Sequence, residues 1–198
     1  MDVAIVKYNA GNICSVVNAL NRLGVNPFIT DDAERLQKAD RVIFPGQGEA
    51  SNVMTSLKAN GLDNVIRGLK QPVLGICIGQ QLLCSHSDEG DTDCIGIFPV
   101  AVKKFSPVRH EDKIPAMGWN NIYDMRSPLF KHFEKSDYFY FVHSYYVPLC
   151  EYTIATADYI LPYSAALNKG NFYATQFHPE KSGRVGALLL TNFLNIDK

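Results

Sequence analysis

The sequence predicts an α/β fold, with a mostly parallel central sheet flanked by helices and additional antiparallel strands. Two observations predict it. Between residues 3 and 85, short apolar strand-like runs alternate four times with helical patterns, as in a parallel sheet covered on both faces. After residue 96 the character changes to runs rich in Tyr, Phe, Val and Ile, which favour a pleated, half-buried surface.

Taken in order, Val3 to Lys7 is a first strand and Tyr8 to Asn12 a turn, with Asn12 placed to cap a helix. Ile13, Val16, Val17, Leu20 and Leu23 form a helical stripe that Gly24 closes. Pro27 to Thr30 is a second strand, and Asp31-Asp32 open a short polar helix ending near Ala39. Arg41 to Phe44 is a third strand, stopped by Pro45-Gly46-Gln47-Gly48. Ala50 to Asn60 is helical, Gly61 interrupts, and Leu62 to Lys70 is helical again. Val73, Leu74 and Ile76 mark a buried strand, followed by a helix over Gln80 to Ser85. An acidic surface loop, Asp88 to Asp93, ends this half. Ile97 to Phe105, Gly118 to Tyr123, Phe139 to Val147, Tyr152 to Ala157 and Ala165 to Gln176 read as strands, with a hairpin turn at Asn168 to Asn171. A short helix is expected over Leu129 to Lys135 and a well-buried closing helix over Gly186 to Leu194.

In such sheets, ligands sit at the carboxyl ends of the strands. The loops at 8–12, 45–49 and 77–79 all follow strands, so they should cluster at one edge. The third contains Gly75-Ile76-Cys77-Ile78-Gly79, the cysteine version of the G-x-S-x-G elbow. Its glycines leave room for a sharp turn, which pushes the thiol out of the sheet edge at the start of a helix. The N–H of Ile78 would be one donor of an oxyanion hole. Read alone, the stretch fits an inert buried cysteine equally well.

His178-Pro179-Glu180 follows a later strand. A proline between them would hold an imidazole and a carboxylate in fixed relation, so that Glu180 accepts from Nδ1 and Nε2 faces the thiol. Alone, this segment is more often a surface turn. Together the two segments match nucleophile, base and orienter. His86 could serve the carbonyl end of the elbow helix, His110 sits among charges, and His132 lies on a polar helix. His143 lies in an aromatic strand without a nearby carboxylate, which suits a structural or cavity-lining role.

The 198 residues suit one well-packed domain rather than two. A formal net charge of −1 gives no electrostatic case for nucleic acid or an anionic membrane surface. Five scattered cysteines without C-x-x-C spacing fit a reducing cytoplasm, and no histidine has metal-ligand spacing. The N-terminus reads as a strand rather than a signal peptide, and no apolar run approaches a membrane span.

With Gly75, Cys77, Gly79 and Gln81 set beside His178-Pro179-Glu180, the chain resembles the class I glutamine amidotransferases. Five segments narrow the resemblance: Tyr8 to Asn12, Pro45 to Ala50, Met117 to Asn120, Phe141 to Tyr145 and His178 to Ser182. They are similar to the glutaminase subunits of imidazole glycerol phosphate synthases, enzymes of histidine biosynthesis. The likeness runs from Val3 to Phe193 and implies a single amidotransferase domain over 1–198. It implies Cys77 as nucleophile, His178 as base and acid, and Glu180 as orienter. Ile78 and Gln47 would serve the oxyanion; Gly46, Gly48, Gln81, Ser144 and Tyr145 would hold glutamine. The released ammonia would pass to a (β/α)8-barrel cyclase subunit in a heterodimer, with Asn12, Trp119, Tyr140 and Lys181 facing it. No cofactor or metal is implied.

The chain departs from the family's pattern at two positions. Gln47 stands where a small apolar residue is usual, in a peptide that must turn over to aim its N–H at the oxyanion. Gln80 stands where methionine is common. Rival readings are a cysteine peptidase, an amidotransferase serving a different synthase, and a binding module with a degenerate site.

Overall fold

The structure, a computed structural model, describes residues 1–8 and 13–197. Asn12 therefore lies outside the described residues. The first half runs β1 (Val3–Val6), α1 (Ile13–Arg22), β2 (Phe28–Thr30), α2 (Ala33–Lys38), β3 (Arg41–Phe44), α3 (Ala50–Ala59), α4 (Leu62–Gly68), β4 (Val73–Ile76) and α5 (Ile78–Leu83). Next come β5 (Cys84–Ser87), β6 (Thr92–Asp93), β7 (Phe98–Lys104), β8 (Ala116–Asn121), β9 (Tyr138–His143) and β10 (Tyr145–Tyr146). The chain closes with β11 (Thr153–Tyr159), β12 (Leu161–Lys169), β13 (Phe172–Thr175) and α6 (Gly183–Leu194).

The predicted fold class is observed. A seven-stranded sheet has the order β11-β12-β13-β4-β3-β1-β2. Strands β2, β1, β3, β4 and β13 are parallel, while β12 and β11 add antiparallel at one side. Successive side chains in a strand point to opposite faces, and both faces here are apolar. Val3, Ile5, Ile43, Leu74 and Ile76 pack with Val16 and Leu20 of α1 and Leu189, Leu190 and Phe193 of α6. Ala4, Val6, Val42, Phe44 and Val73 pack with residues of α2, α3, α4 and α5. This burial on two faces explains the near-continuous apolar runs of these strands. Asp32 caps α2 by accepting from Arg35 N at 2.8 Å, and Gly61 takes a left-handed turn between α3 and α4.

Three expectations change. The helix after Cys77 stops at Leu83, and Cys84 turns extended to begin β5. The N–H groups of Ile95 and Ile97 bind the carbonyls of Leu82 and Leu83 at 2.9 Å, so a distant segment closes the helix. β5 then pairs in parallel with β7, and His86 lies on a strand beside Asp91 and Asp93 instead of at a helix end. The expected helix over 129–135 is only a 3-10 turn, Pro128–Phe130, capped by Ser127. Finally, the aromatic strand over 139–147 breaks at Ser144. β9 pairs with β8, whereas β10 pairs with β7 in a second sheet of order β10-β7-β5-β6.

Gly79 shows how closely the elbow packs. A Cβ there would stand 2.2 Å from the carbonyl oxygen of Phe44. Gly79→Ala is expected to destabilise the chain by about 1–3 kcal/mol through overpacking against main chain, read as a lower midpoint in urea unfolding.

Candidate active site

β4 and β13 are parallel neighbours, with Ile76 in register with Thr175. Cys77 N extends this ladder by donating to Thr175 O at 2.7 Å. The chain then diverges. On one side Cys77 enters a turn with φ 54° and ψ −109°, a positive-φ conformation unusual for a residue with a side chain. On the other, Gln176 and Phe177 lead to His178 and the 3-10 turn Pro179–Lys181. Strained backbone of this kind is characteristic of nucleophile elbows.

His178 is buried, and its Nδ1 lies 2.8 Å from Glu180 Oε1, whose side chain is also buried. A carboxylate can only accept, so Nδ1 carries the proton and Nε2 is left toward the cavity. Nε2 makes no well-aligned hydrogen bond. Burial is the strongest influence on His178 and opposes a second proton. The neighbouring Cys77, then Glu180, outweigh it, so the imidazole titrates well above the usual histidine range. The expected proximity of thiol, imidazole and carboxylate is therefore met.

The main chain clamps this turn. His178 N donates to Tyr140 O at 2.9 Å, Tyr140 N to Ser182 Oγ at 3.0 Å, and Ser182 Oγ to His178 O at 2.6 Å. Ser182 thus joins β9 to the histidine from both sides.

A cavity of about 260 Å³ opens beside the sulfur. It is lined by Gly46, Gln47, Gly48, Cys77, Ile78, Gln81, Val142, His143, Ser144, Tyr145 and His178, and by Glu89. All the residues expected to hold substrate or oxyanion meet here. The break after His143 explains why Ser144 and Tyr145 do so, since it turns the main chain along the cavity wall. Gln81 Nε2 donates to Tyr145 O at 3.1 Å. Ile78 begins α5, where main-chain N–H groups lack a carbonyl one turn earlier. Gly48 has φ +132°. The Tyr8 hydroxyl donates to Pro45 O, in the same loop.

Both ring nitrogens of His143 have partners away from the sulfur. Its Nδ1 donates to Tyr145 O at 2.7 Å and its Nε2 lies 3.3 Å from the Tyr163 hydroxyl. Burial, with a smaller contribution from His178, pushes it down to about 4, so it is neutral at pH 7. Gln80 is fully buried, and its Nε2 donates to Ser164 O at 3.2 Å.

Residues in and around the cavity also escaped the sequence reading. Glu89 was placed in an acidic surface loop, yet its Oε2 accepts from Ala50 N at 2.9 Å and it lines the cavity. Gln176 carries no local pattern that would mark it, while Tyr8 and Ser182 lie in segments of the resemblance without a role given to them. Trp119, Tyr140 and Lys181 gather outside the cavity. Trp119 and Tyr140 rings meet edge-on at 6.0 Å, and Lys181 Nζ lies 5.9 Å from the Tyr140 ring. Trp119 is 57% exposed and Met117 66%.

Comparison with known proteins agrees with this geometry. The family described as glutamine amidotransferase class-I matches residues 5–196. The chain belongs to the class-I glutamine amidotransferase family. Within it, the chain falls among the HisH subunits of imidazole glycerol phosphate synthase. The subunit of that name from Bacteroides thetaiotaomicron is 61% identical over 99% of this chain and all of its own length. HisH 2 of Legionella pneumophila is 45% identical over 98% of each chain. A solved structure of a glutamine amidotransferase from Thermotoga maritima shares the fold. Its TM-score is 0.67 at 15% identity, covering 98% of this chain and 96% of that one.

Glu180→Gln retains an acceptor for Nδ1 but removes the charge. The His178 titration, followed by NMR, is expected to move down. A histidine raised in the folded state stabilises the fold below its unfolded value, an effect lost as pH rises through the folded value. The variant's deficit in urea midpoint should therefore be widest near about pH 6 and narrow at higher pH.

Proposed function

We propose that the chain hydrolyses the side-chain amide of glutamine to glutamate and ammonia and delivers the ammonia to a (β/α)8-barrel synthase subunit. The observation that carries this reading is the meeting of Cys77 with His178 and its buried Glu180 at the wall of one small cavity. The named relatives are themselves synthase subunits. The cavity's size, below the usual range for drug-sized pockets, suits a single amino acid.

In this reading the Cys77 sulfur attacks the amide carbon, forming a C–S bond, while the carbonyl electrons move onto oxygen. Ile78 N–H and Gln47 N–H serve that oxyanion. His178, oriented by Glu180, takes the Cys77 thiol proton on Nε2 as the sulfur attacks and gives it to the departing nitrogen. The C–N bond breaks and ammonia leaves a glutamyl thioester. His178 then takes a proton from water, the resulting hydroxide attacks the thioester, and the proton returns to the sulfur. Gly46, Gly48, Gln81, Ser144 and Tyr145 hold the substrate. The Glu89 carboxylate is placed to accept from its ammonium group.

The ammonia must reach its consumer before water protonates it, so the two sites belong in one sealed assembly. The group of exposed Trp119 with half-buried Tyr140 and Lys181 supplies the face for the barrel subunit. Asn12, outside the described residues, is assigned there by the family resemblance. In the barrel the ammonia would yield imidazole glycerol phosphate and an aminoimidazole carboxamide ribonucleotide, within the cytoplasm. All five cysteines are free, in keeping with that compartment.

Gln47 gives the rest state. Its peptide is flanked by Gly46 and by Gly48 at φ +132°, which leave it free to turn; serving the oxyanion requires that turn, so the isolated chain should be slow. Ammonia release from glutamine is expected to rise strongly when the barrel partner and its nucleotide are added, and Cys77→Ser should abolish it. Equal turnover with and without the partner would contradict the rest state; no turnover in the loaded complex would contradict the function.

A further inference from the structure

The register that brings His178 near Cys77 seats another side chain beside the sulfur. Because Thr175 pairs with Ile76, the next residues, Gln176 and Cys77, stand side by side. Gln176 is wholly buried, and its Nε2 lies 3.8 Å from Cys77 Sγ. Its Oε1 accepts from Gln81 Nε2 at 3.0 Å.

The direction of this chain is fixed by chemistry. Gln81 Nε2 also donates to the Tyr145 carbonyl, which can only accept. Gln81 therefore turns its amide nitrogen toward both neighbours and spends its second N–H on Gln176 Oε1. With its oxygen so held, Gln176 has only N–H to present to sulfur. The sulfur also meets a main-chain oxygen, the Val142 carbonyl, at the same 3.8 Å. That oxygen can accept from a thiol but repels a thiolate. The sulfur thus lies between a group that favours its protonated form and one that favours its ionised form.

We propose that Gln176 is a positioning residue for the nucleophile: its side-chain amide donates to the Cys77 sulfur, stabilises the thiolate, and ties it to Gln81 at the cavity wall. The proposal rests on the glutaminase reading above and deepens it. A hydrogen bond to a charged acceptor contributes more than one between neutral groups, and burial strengthens it further. The link also joins the nucleophile to a substrate-holding side chain, so a change in Gln81's partners is felt at the sulfur. Other groups bear on Cys77 as well. They are His178 from the turn after β13, with Glu180 and His143 acting through it, Tyr8 following β1, and Glu89 across the cavity. None is altered by substitution at 176.

The test follows alkylation of Cys77 by iodoacetamide against pH, read by peptide mass, with exposed Cys14 as internal reference. Gln176→Met removes the donor at similar length, and Gln176→Glu removes it while keeping the oxygen for Gln81. Both should slow Cys77 alkylation about tenfold at neutral pH relative to Cys14 and move its profile to higher pH. In the complex with the barrel subunit, kcat for glutamine should fall with little change in KM. In the unmodified protein, the Gln176 side-chain amide NMR signal should shift with the same midpoint as Cys77 alkylation. A flat Gln176 signal, or an unchanged alkylation profile in either folded variant, overturns the proposal. Should the wild type alkylate as described yet release no ammonia in the loaded complex, the glutaminase reading fails while the contact stands.

Discussion

The parallel pairing of β4 with β13 is the constraint on which the rest of the molecule depends. These strands lie about a hundred residues apart in the chain, yet their register sets Ile76 against Thr175. From that one pairing, the residues just past each strand end are forced together: Cys77 on one side, Gln176 and His178 on the other. The five parallel strands and their two apolar faces keep the pairing buried, away from competing water. A slip of one residue would exchange the side chains of β13 between the two packed faces, setting Phe172 and Ala174 where Tyr173 now fits. Packing on both faces thereby enforces the alignment of the polar groups.

Around that pairing, close packing of main chain does what side chains could not. Gly46 and Gly79 let the loop after β3 and the start of α5 approach within distances that a Cβ would forbid; at Gly46 it would meet Gly79 N at 2.6 Å. The loop over 45–48 is thus pressed against the nucleophile's own helix. Tyr8, buried and edge-on to Phe44, ties the same loop back to the end of β1. The loop is held by contacts on both sides, and its Gly48 takes φ +132°, a backbone conformation that residues with side chains rarely adopt.

The sequence carried the parts of this arrangement that depend on local chemistry. The elbow glycines, the proline between His178 and Glu180, and the apolar runs of β1, β3 and β4 each follow from a residue's own conformational limits. What it could not carry depends on partners distant in the chain. Cys84 to Ser87 has a helical neighbourhood and becomes a strand only because residues 94–97 close the preceding helix and β7 offers an edge. The break at Ser144 is stabilised by the His143 contact to Tyr145 O and by Phe105 N donating to Ser144 O, neither of which leaves a turn residue behind. Glu89 looked like one solvated acid among several, since nothing local distinguishes the carboxylate that folds over the cavity. Gln176 follows a strand, and its place beside Cys77 appears only once β4 lies next to β13.

These same long-range contacts suggest how the outer face could speak to the cavity. Tyr140 occupies both regions at once. Its ring lies outside, between Trp119 and Lys181, while its main chain holds His178 directly and through Ser182. β9, which carries Tyr140, also carries Val142, whose carbonyl touches the Cys77 sulfur, and His143, which fixes the turn into Ser144 and Tyr145. A partner bound over Trp119 and Tyr140 would bear on the strand that supports the imidazole, the sulfur and the cavity wall together. Packed strands move as units rather than bending continuously. A small displacement of β9 would therefore change all three contacts at once, which is what the proposed response of the site to a partner requires.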